Sequence, residues 1–167
     1  DLGNKLIGIG GKDGVVRIYS IEDRVVGLKT HEAYEVPSAI ILQQAHKGLE
    51  ALVMTSHQLK FKWFEVDPLW SELMYNGLWV DPLRENLEKL VDDMEKVVTG
   101  STKIKLFKGM AVVVGLDSPF SLHSKQLISY VSKISKIDQT KMSHFIDAFG
   151  TQSIMASKLR WKDENLE

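Results

Sequence analysis

The stretch DPLRENLEKLVDDMEKVV, residues 81–98, constrains the fold most. Leu83, Leu87, Leu90, Met94 and Val97 recur at steps of four, three, four and three. That spacing lines up on one face of an α-helix and on neither face of a strand. Asp81 offers a capping oxygen, Pro82 suits the first turn, and Gly100 stops the run, so a helix is predicted from Asp81 to Val98. A continuous apolar stripe has to be covered, so the chain must also supply a packing surface. With 167 residues, 44% of them hydrophobic and 26% charged, it has the size and balance of one ordinary globular domain or a large fragment of a longer chain. The acids of the same stretch, Glu85, Glu88, Asp92, Asp93 and Glu95, are spread along the helix. They read as a solvated face, because calcium and magnesium sites need converging oxygens.

The surrounding segments mix both periodicities. Thr102 to Phe107 alternates, with Ile104 and Leu106 on one side and Lys103 and Lys105 on the other. Lys108-Gly109 is a tight turn, and Ala111 to Val114 is the returning strand. Val15 to Ser20 and Arg24 to Thr30 read as two more strands, with Glu22-Asp23 as turn material between them. Pro37-Ser38 opens a helix carrying Ile40, Ile41, Ala45, Leu49, Leu52 and Val53. A further helix covers Asp67 to Tyr75 and ends at Asn76-Gly77. Ser118-Pro119 breaks the chain, and Leu122 to Ile134 reads as helical. The last third is rich in large apolar groups, Met142, Phe145, Ile146, Phe149, Ile154, Met155, Leu159 and Trp161. A terminal helix of that kind needs cover from its own core or from a partner subunit. Regular βαβ alternation is missing. The predicted class is α+β, with a mostly antiparallel sheet packed with helices.

Several functions are excluded or weakened. The net charge of −1 and the lack of a basic cluster argue against nucleic acid. No apolar run has bilayer length, so no membrane association is expected. The absence of cysteine removes disulfides, thiolate catalysis and cysteine-based zinc sites. The opening residues Asp1-Leu2-Gly3-Asn4 read as mid-protein, not as a secretory leader, and a cytoplasmic location is expected. Gly8, Gly10, Gly11 and Gly14 invite a phosphate-loop reading. The dinucleotide spacing fails at Asp13, and the Walker spacing fails at Leu6 and Asp13. They read instead as a helix end and a turn. Histidines 31, 46, 57, 123 and 144 form no metal-binding spacing, and His46 reads as a structural, hydrogen-bonded residue. No nucleophile elbow occurs. Neither a catalytic group nor a metal ligand is assigned. Tyr75-Asn76-Gly77-Leu78-Trp79 reads as ordinary aromatic packing at a helix end.

Glu22 and Tyr34 stand apart. A carboxylate makes a charge-assisted hydrogen bond with an α-ammonium. A phenol can donate to a carboxylate or ureido oxygen. Placed on one side of a hairpin, the two suit a zwitterionic amino acid, although the spacing does not fix the register.

GGKDGVVRIYSIEDRVVGLKTHEAYEVP resembles a stretch of argininosuccinate synthases. AHKGLEALV, ELMYNGLWVDPLRENLEKLVDDMEKVVTGSTKIKLFKGMAVVVG and DSPFSL continue the resemblance in the same order, up to FIDAFG and the terminal helix. The resemblance implies an ATP- and magnesium-dependent ligase acting on citrulline and aspartate. The citrulline ureido oxygen attacks the α-phosphate to give a citrullyl-adenylate and pyrophosphate. The aspartate amine then displaces AMP. It further implies a homotetramer whose C-terminal helices reach across subunits. Residues 1–140 would be part of the synthetase domain, and 141–167 the oligomerisation helix. The family's pyrophosphate loop and aspartate motif have no counterpart here, so the chain alone is not expected to hydrolyse ATP.

Carried over by motif, the family's citrulline-binding glutamate falls on Glu22 and its tyrosine on Tyr34. The chain departs from the usual pattern at Val16, Tyr19 and Asp23. It also has His31-Glu32 where many members have Arg-Gly. The alternative reading is a non-catalytic α+β oligomerisation or scaffold module that keeps the family fold. A strand and a Ser/Gly-rich loop upstream in the parent polypeptide would favour the ligase.

Overall fold

The computed structural model of the chain describes residues 2–12, 17–124 and 141–160. The fold is α+β. It divides into a larger unit ending at Leu122 and a smaller one beginning at His123. The larger unit opens with helix α1 (Leu2–Lys12) and a hairpin of β1 (Arg17–Asp23) and β2 (Lys29–Glu35). Helices α2 (Pro37–Val53) and α3 (Ser56–Phe61) follow. A π-helical turn (Lys62–Val66) then leads into α4 (Asp67–Tyr75). Helix α5 (Pro82–Met94) ends in a 3-10 turn (Glu95–Val97), and β3 (Ser101–Phe107) and β4 (Met110–Asp117) form the second hairpin. The smaller unit contains α6 (Met142–Arg160). Among the described residues the strands form two separate two-stranded antiparallel sheets.

The first hairpin turns later than expected. Glu22 and Asp23 remain in β1, opposite Thr30 and Lys29. The turn is made by Arg24 to Leu28: the Arg24 N–H donates to the Leu28 carbonyl, and the Gly27 N–H to the Arg24 carbonyl, both at 2.8 Å. Gly27 adopts φ +80°, which glycine reaches without a Cβ penalty. That conformational need outweighs the polarity of Glu22-Asp23 in fixing the turn.

The second hairpin follows the predicted pattern. Thr102, Ile104 and Leu106 are half-buried, while Lys103 and Lys105 are exposed. Helix α2 covers this sheet, with the Thr102 hydroxyl donating to the Ala45 carbonyl at 3.4 Å.

The Asp81–Val98 prediction holds. The Asp81 side chain accepts from the Leu83 N–H at 2.8 Å, Pro82 opens α5, and Leu87 is buried. Leu87 joins Val66 and Leu73 in the core, with Trp70, Met74, Leu90 and Val91 packed around them. Leu83, at the open end of the stripe, stays 40% exposed.

The helical stretch ahead of α4 has no counterpart in the sequence reading. Thr55 and Gln58 form a reciprocal capping box that starts α3. Pro68 then cannot donate to the carbonyl one turn earlier, and its ring crowds that carbonyl. The helix widens into a π turn just before it, where the Asp67 N–H bonds to the Lys62 carbonyl.

Of the predicted helix over 122–134, residues 122–124 are not helical and the rest lies outside the described residues. Helix α6 exposes Phe145, Ile146, Phe149 and Leu159. Among the described residues no helix is long and apolar enough to cross a membrane.

Candidate functional site

The register of the first hairpin pairs Ile18 with Tyr34, Ser20 with Glu32, and Glu22 with Thr30. Directly paired residues point to the same face of a sheet, and every second residue shares that face. Glu22 and Tyr34 therefore lie on one side, four positions apart along the strand, and their long side chains lean together. This side is the less exposed one: Ile18, Ser20, Glu22, Thr30 and Glu32 are half-buried, while Tyr34 is exposed. The C-terminal end of α4 brings Tyr75 to the same place.

The Glu22 carboxylate is held on both oxygens. Its Oε1 accepts from the Tyr34 hydroxyl at 2.5 Å and from the Ser20 hydroxyl at 3.5 Å. Its Oε2 accepts from the Tyr75 hydroxyl at 3.1 Å. Arg24 stands 3.9 Å from Oε2 but is engaged elsewhere, with Glu32 at 2.6 Å and Thr30 at 3.2 Å.

The hydrogen bond from Tyr34 is the main reason the Glu22 carboxyl sits below its ordinary range, with Tyr75 and Arg24 adding to it against partial burial. In return, donating to Glu22 pushes the Tyr34 phenol up to about 12. Burial, then the bond to Glu22, raises Tyr75 as well. Each phenol has one proton, and here it goes to the carboxylate. The Arg24 guanidinium also meets the Tyr75 phenol and counters its rise, so the cluster brings a carboxylate, two phenols and one guanidinium together beside the hairpin.

Tyr75 was missed by the sequence reading. It follows Glu22 by 53 residues, and no local spacing links a helix end to a hairpin face. The departures noted in the hairpin fall differently. Tyr19, Asp23 and His31 lie on the opposite, exposed face, where Tyr19 and His31 contact each other. Val16 lies outside the described residues. Only Glu32 joins the site face, as the partner of Arg24.

A family model described as "Arginosuccinate synthase C-terminal domain" matches residues 1–156. The chain belongs to that family. It is 50% identical to the argininosuccinate synthase of Methanocaldococcus jannaschii over 147 residues, which is 88% of this chain and 36% of that protein. The argininosuccinate synthase of Pyrococcus furiosus is 47% identical over 152 residues, 91% of this chain and 37% of its own length. That of Pyrobaculum aerophilum is 43% identical over 152 residues, again 91% of this chain and 38% of its own. The chain thus spans a little over a third of these relatives.

A second charged cluster lies behind α4. Lys62, turned inward by the π turn, places Nζ 2.7 Å from Glu50, 3.1 Å from Asp67 and 3.6 Å from Glu95. The Trp63 indole donates to Glu50 at 2.6 Å, and His46 Nε2 lies 3.3 Å from Glu50 and 3.0 Å from Glu95. His46 is therefore in hydrogen-bonding contact, as its sequence context suggests. Glu95 does not belong to the solvated row; it turns inward. Burial disfavours a charged Glu50, but Lys62 and Trp63 outweigh that and hold its carboxyl below the ordinary range. Burial, then the neighbouring Glu50, pushes Glu95 up. His46, Glu50 and Glu95 bring metal-capable atoms within 4.8 Å of one another. The Lys62 ammonium already supplies the central positive charge.

The glycine cluster offers no phosphate cradle among its described members. Gly8, Gly10 and Gly11 lie within α1, so the reading as a helix end and turn gives way to a continuous helix through Lys12. A Cβ on Gly10 would stand 2.6 Å from the Pro37 Cβ, so this glycine lets α1 approach the start of α2.

Proposed function

We propose that the chain is the citrulline-holding portion of an ATP-dependent ligase that joins citrulline and aspartate to argininosuccinate. The family's nucleotide and its magnesium are assigned to parts of the parent enzyme outside this chain. The observation that carries the reading is the Glu22 carboxylate, held by Tyr34 and Tyr75 on one face of the hairpin. A carboxylate fixed on both oxygens can anchor the α-ammonium of an amino acid with little loss of side-chain freedom on binding. Anchoring that end orients the ureido group towards the α-phosphate, and fixed geometry replaces a bimolecular search. Neither Glu22 nor Tyr34 transfers a proton in this scheme.

The exposed apolar residues of α6, Phe149 at 80% among them, suit the subunit contacts of a homotetramer in the cytoplasm. The division at residues 140/141 belongs to the same reading.

The test is Glu22→Ala in the parent enzyme. It raises the citrulline KM by at least about tenfold, because a charge-assisted contact is lost. The ATP KM stays near its starting value. An unaltered citrulline KM refutes the assignment.

A further inference from the structure

We propose that the cavity between α2, α4 and α5 binds a zwitterionic α-amino acid with a flat, apolar side chain, at a site separate from the first hairpin. The cavity holds about 600 Å³. Small-molecule sites span roughly 300–1,000 Å³, so it has the size for such a guest.

Trp63 and Trp70 line it, and both are half-buried. Both indole N–H groups are committed: Trp63 donates to Glu50 at 2.6 Å and Trp70 to Glu88 at 3.2 Å. Each ring is therefore pinned at its polar edge, and what it has left for a guest is carbon surface. Rings fixed in this way give contact area with little further loss of side-chain freedom. Pro68 and Val91 add to the apolar lining. The charged groups of the lining divide into two kinds. Asp67 and Glu88 are already matched, by Lys62 at 3.1 Å and Arg84 at 2.7 Å. The side chains of Lys47, on α2, and Asp92, on α5, have no hydrogen-bond or ion-pair partner among the described residues. One unmatched ammonium and one unmatched carboxylate thus share a cavity with two fixed indoles. A simple anion would answer only Lys47, and a simple cation only Asp92. A zwitterion answers both, and a flat apolar body covers the rings.

The test is calorimetric binding to the parent polypeptide, with three probes that share a phenyl ring. They are L-phenylalanine, 3-phenylpropanoate, which lacks the ammonium, and 2-phenylethylamine, which lacks the carboxylate. L-phenylalanine should bind most tightly. Asp92→Asn should weaken L-phenylalanine and 2-phenylethylamine by about fivefold, the scale of one exposed charge pair, and leave 3-phenylpropanoate unchanged. Lys47→Gln should weaken L-phenylalanine and 3-phenylpropanoate to a similar extent and leave 2-phenylethylamine unchanged. Both positions are exposed, so both variants keep the core intact. Glu22→Gln should move none of the three constants; loss of L-phenylalanine binding in that variant would put the probe at the hairpin and overturn the proposal. Equal affinity for all three probes, or constants that neither Asp92→Asn nor Lys47→Gln moves, would overturn it by showing apolar adhesion without charge recognition. No binding of any probe in the millimolar range would overturn it as well, the cavity then being closed by the rest of the parent polypeptide.

Discussion

Replacing Lys62 with methionine keeps the length of the side chain and removes its charge. The Lys62 side chain is 7% exposed and that of Glu50 1%, and their charged atoms are 2.7 Å apart. At the effective dielectric of about 20 that suits such sites, a unit pair at this distance interacts by about 6 kcal/mol. Part of that is offset, because the variant no longer desolvates an ammonium. The net loss on breaking a buried pair is about 3–5 kcal/mol. For a chain of this size that lowers Tm by on the order of 10 °C. Denaturant unfolding followed by circular dichroism measures it directly. The pH dependence is the sharper readout. Glu50 has a depressed folded pKa, so in the native chain it contributes stability above the ordinary carboxylate range, and that contribution is lost as pH falls. Lys62→Met removes the main cause of the depression, so the gap between variant and native chain narrows towards acid. A change under about 1 kcal/mol at neutral pH, or a gap that widens towards acid, would refute the buried-pair reasoning.

The two other perturbations each replace one carboxyl group. Glu95 has a raised folded pKa, so its protonated form is favoured in the fold; that contribution is present below the ordinary value of 4.5 and is lost as pH rises through the folded value. Glu95→Gln should therefore gain stability relative to the native chain on the alkaline side, and a thermal-melt series in which the difference does not grow with pH contradicts it. Tyr34 should titrate at about 12, and Glu22→Gln should bring it back towards 10.0. NMR titration of ring-labelled tyrosine checks this, and an unshifted Tyr34 in the variant would mean that Glu22 is not its partner.

Features written in consecutive residues were legible in the sequence. The Asp81-Pro82 cap, the heptad-like stripe of α5 and the Lys103/Lys105 alternation each report local geometry, and each appears as read. The misplaced first turn shows the limit of composition: Glu22-Asp23 looks like turn material, but Gly27 reaches positive φ more easily and takes the turn. The helix ahead of α4 was missed because its strongest signal, the Thr55–Gln58 capping box, precedes a run with no clean period. The π turn before Pro68 shifts which residues face inward, so Lys62 is buried at a position that a regular helix pattern would not mark. Glu22 and Tyr34 emerged from a motif, whereas their common face depends on a register that spacing alone leaves open. Tyr75 depends on a contact between distant segments.

The two charged clusters are linked through the backbone. An isolated two-stranded hairpin is marginally stable, and the first hairpin carries the candidate site. Tyr75 therefore ties Glu22 to a helix as well as orienting its carboxylate. That helix, α4, continues directly from the π turn that begins at Lys62. Lys62 is fixed by Glu50 of α2 and Glu95 at the end of α5. The buried ion pair thus anchors one end of a helical segment whose other end presents Tyr75 to the site. A substitution at Lys62 would act on the candidate site only through the placement of Tyr75, whereas one at Glu22 removes the charge itself. The first should loosen orientation and the second should abolish attraction. Site charge and scaffold charge are separate in space, and α4 carries the mechanical connection between them.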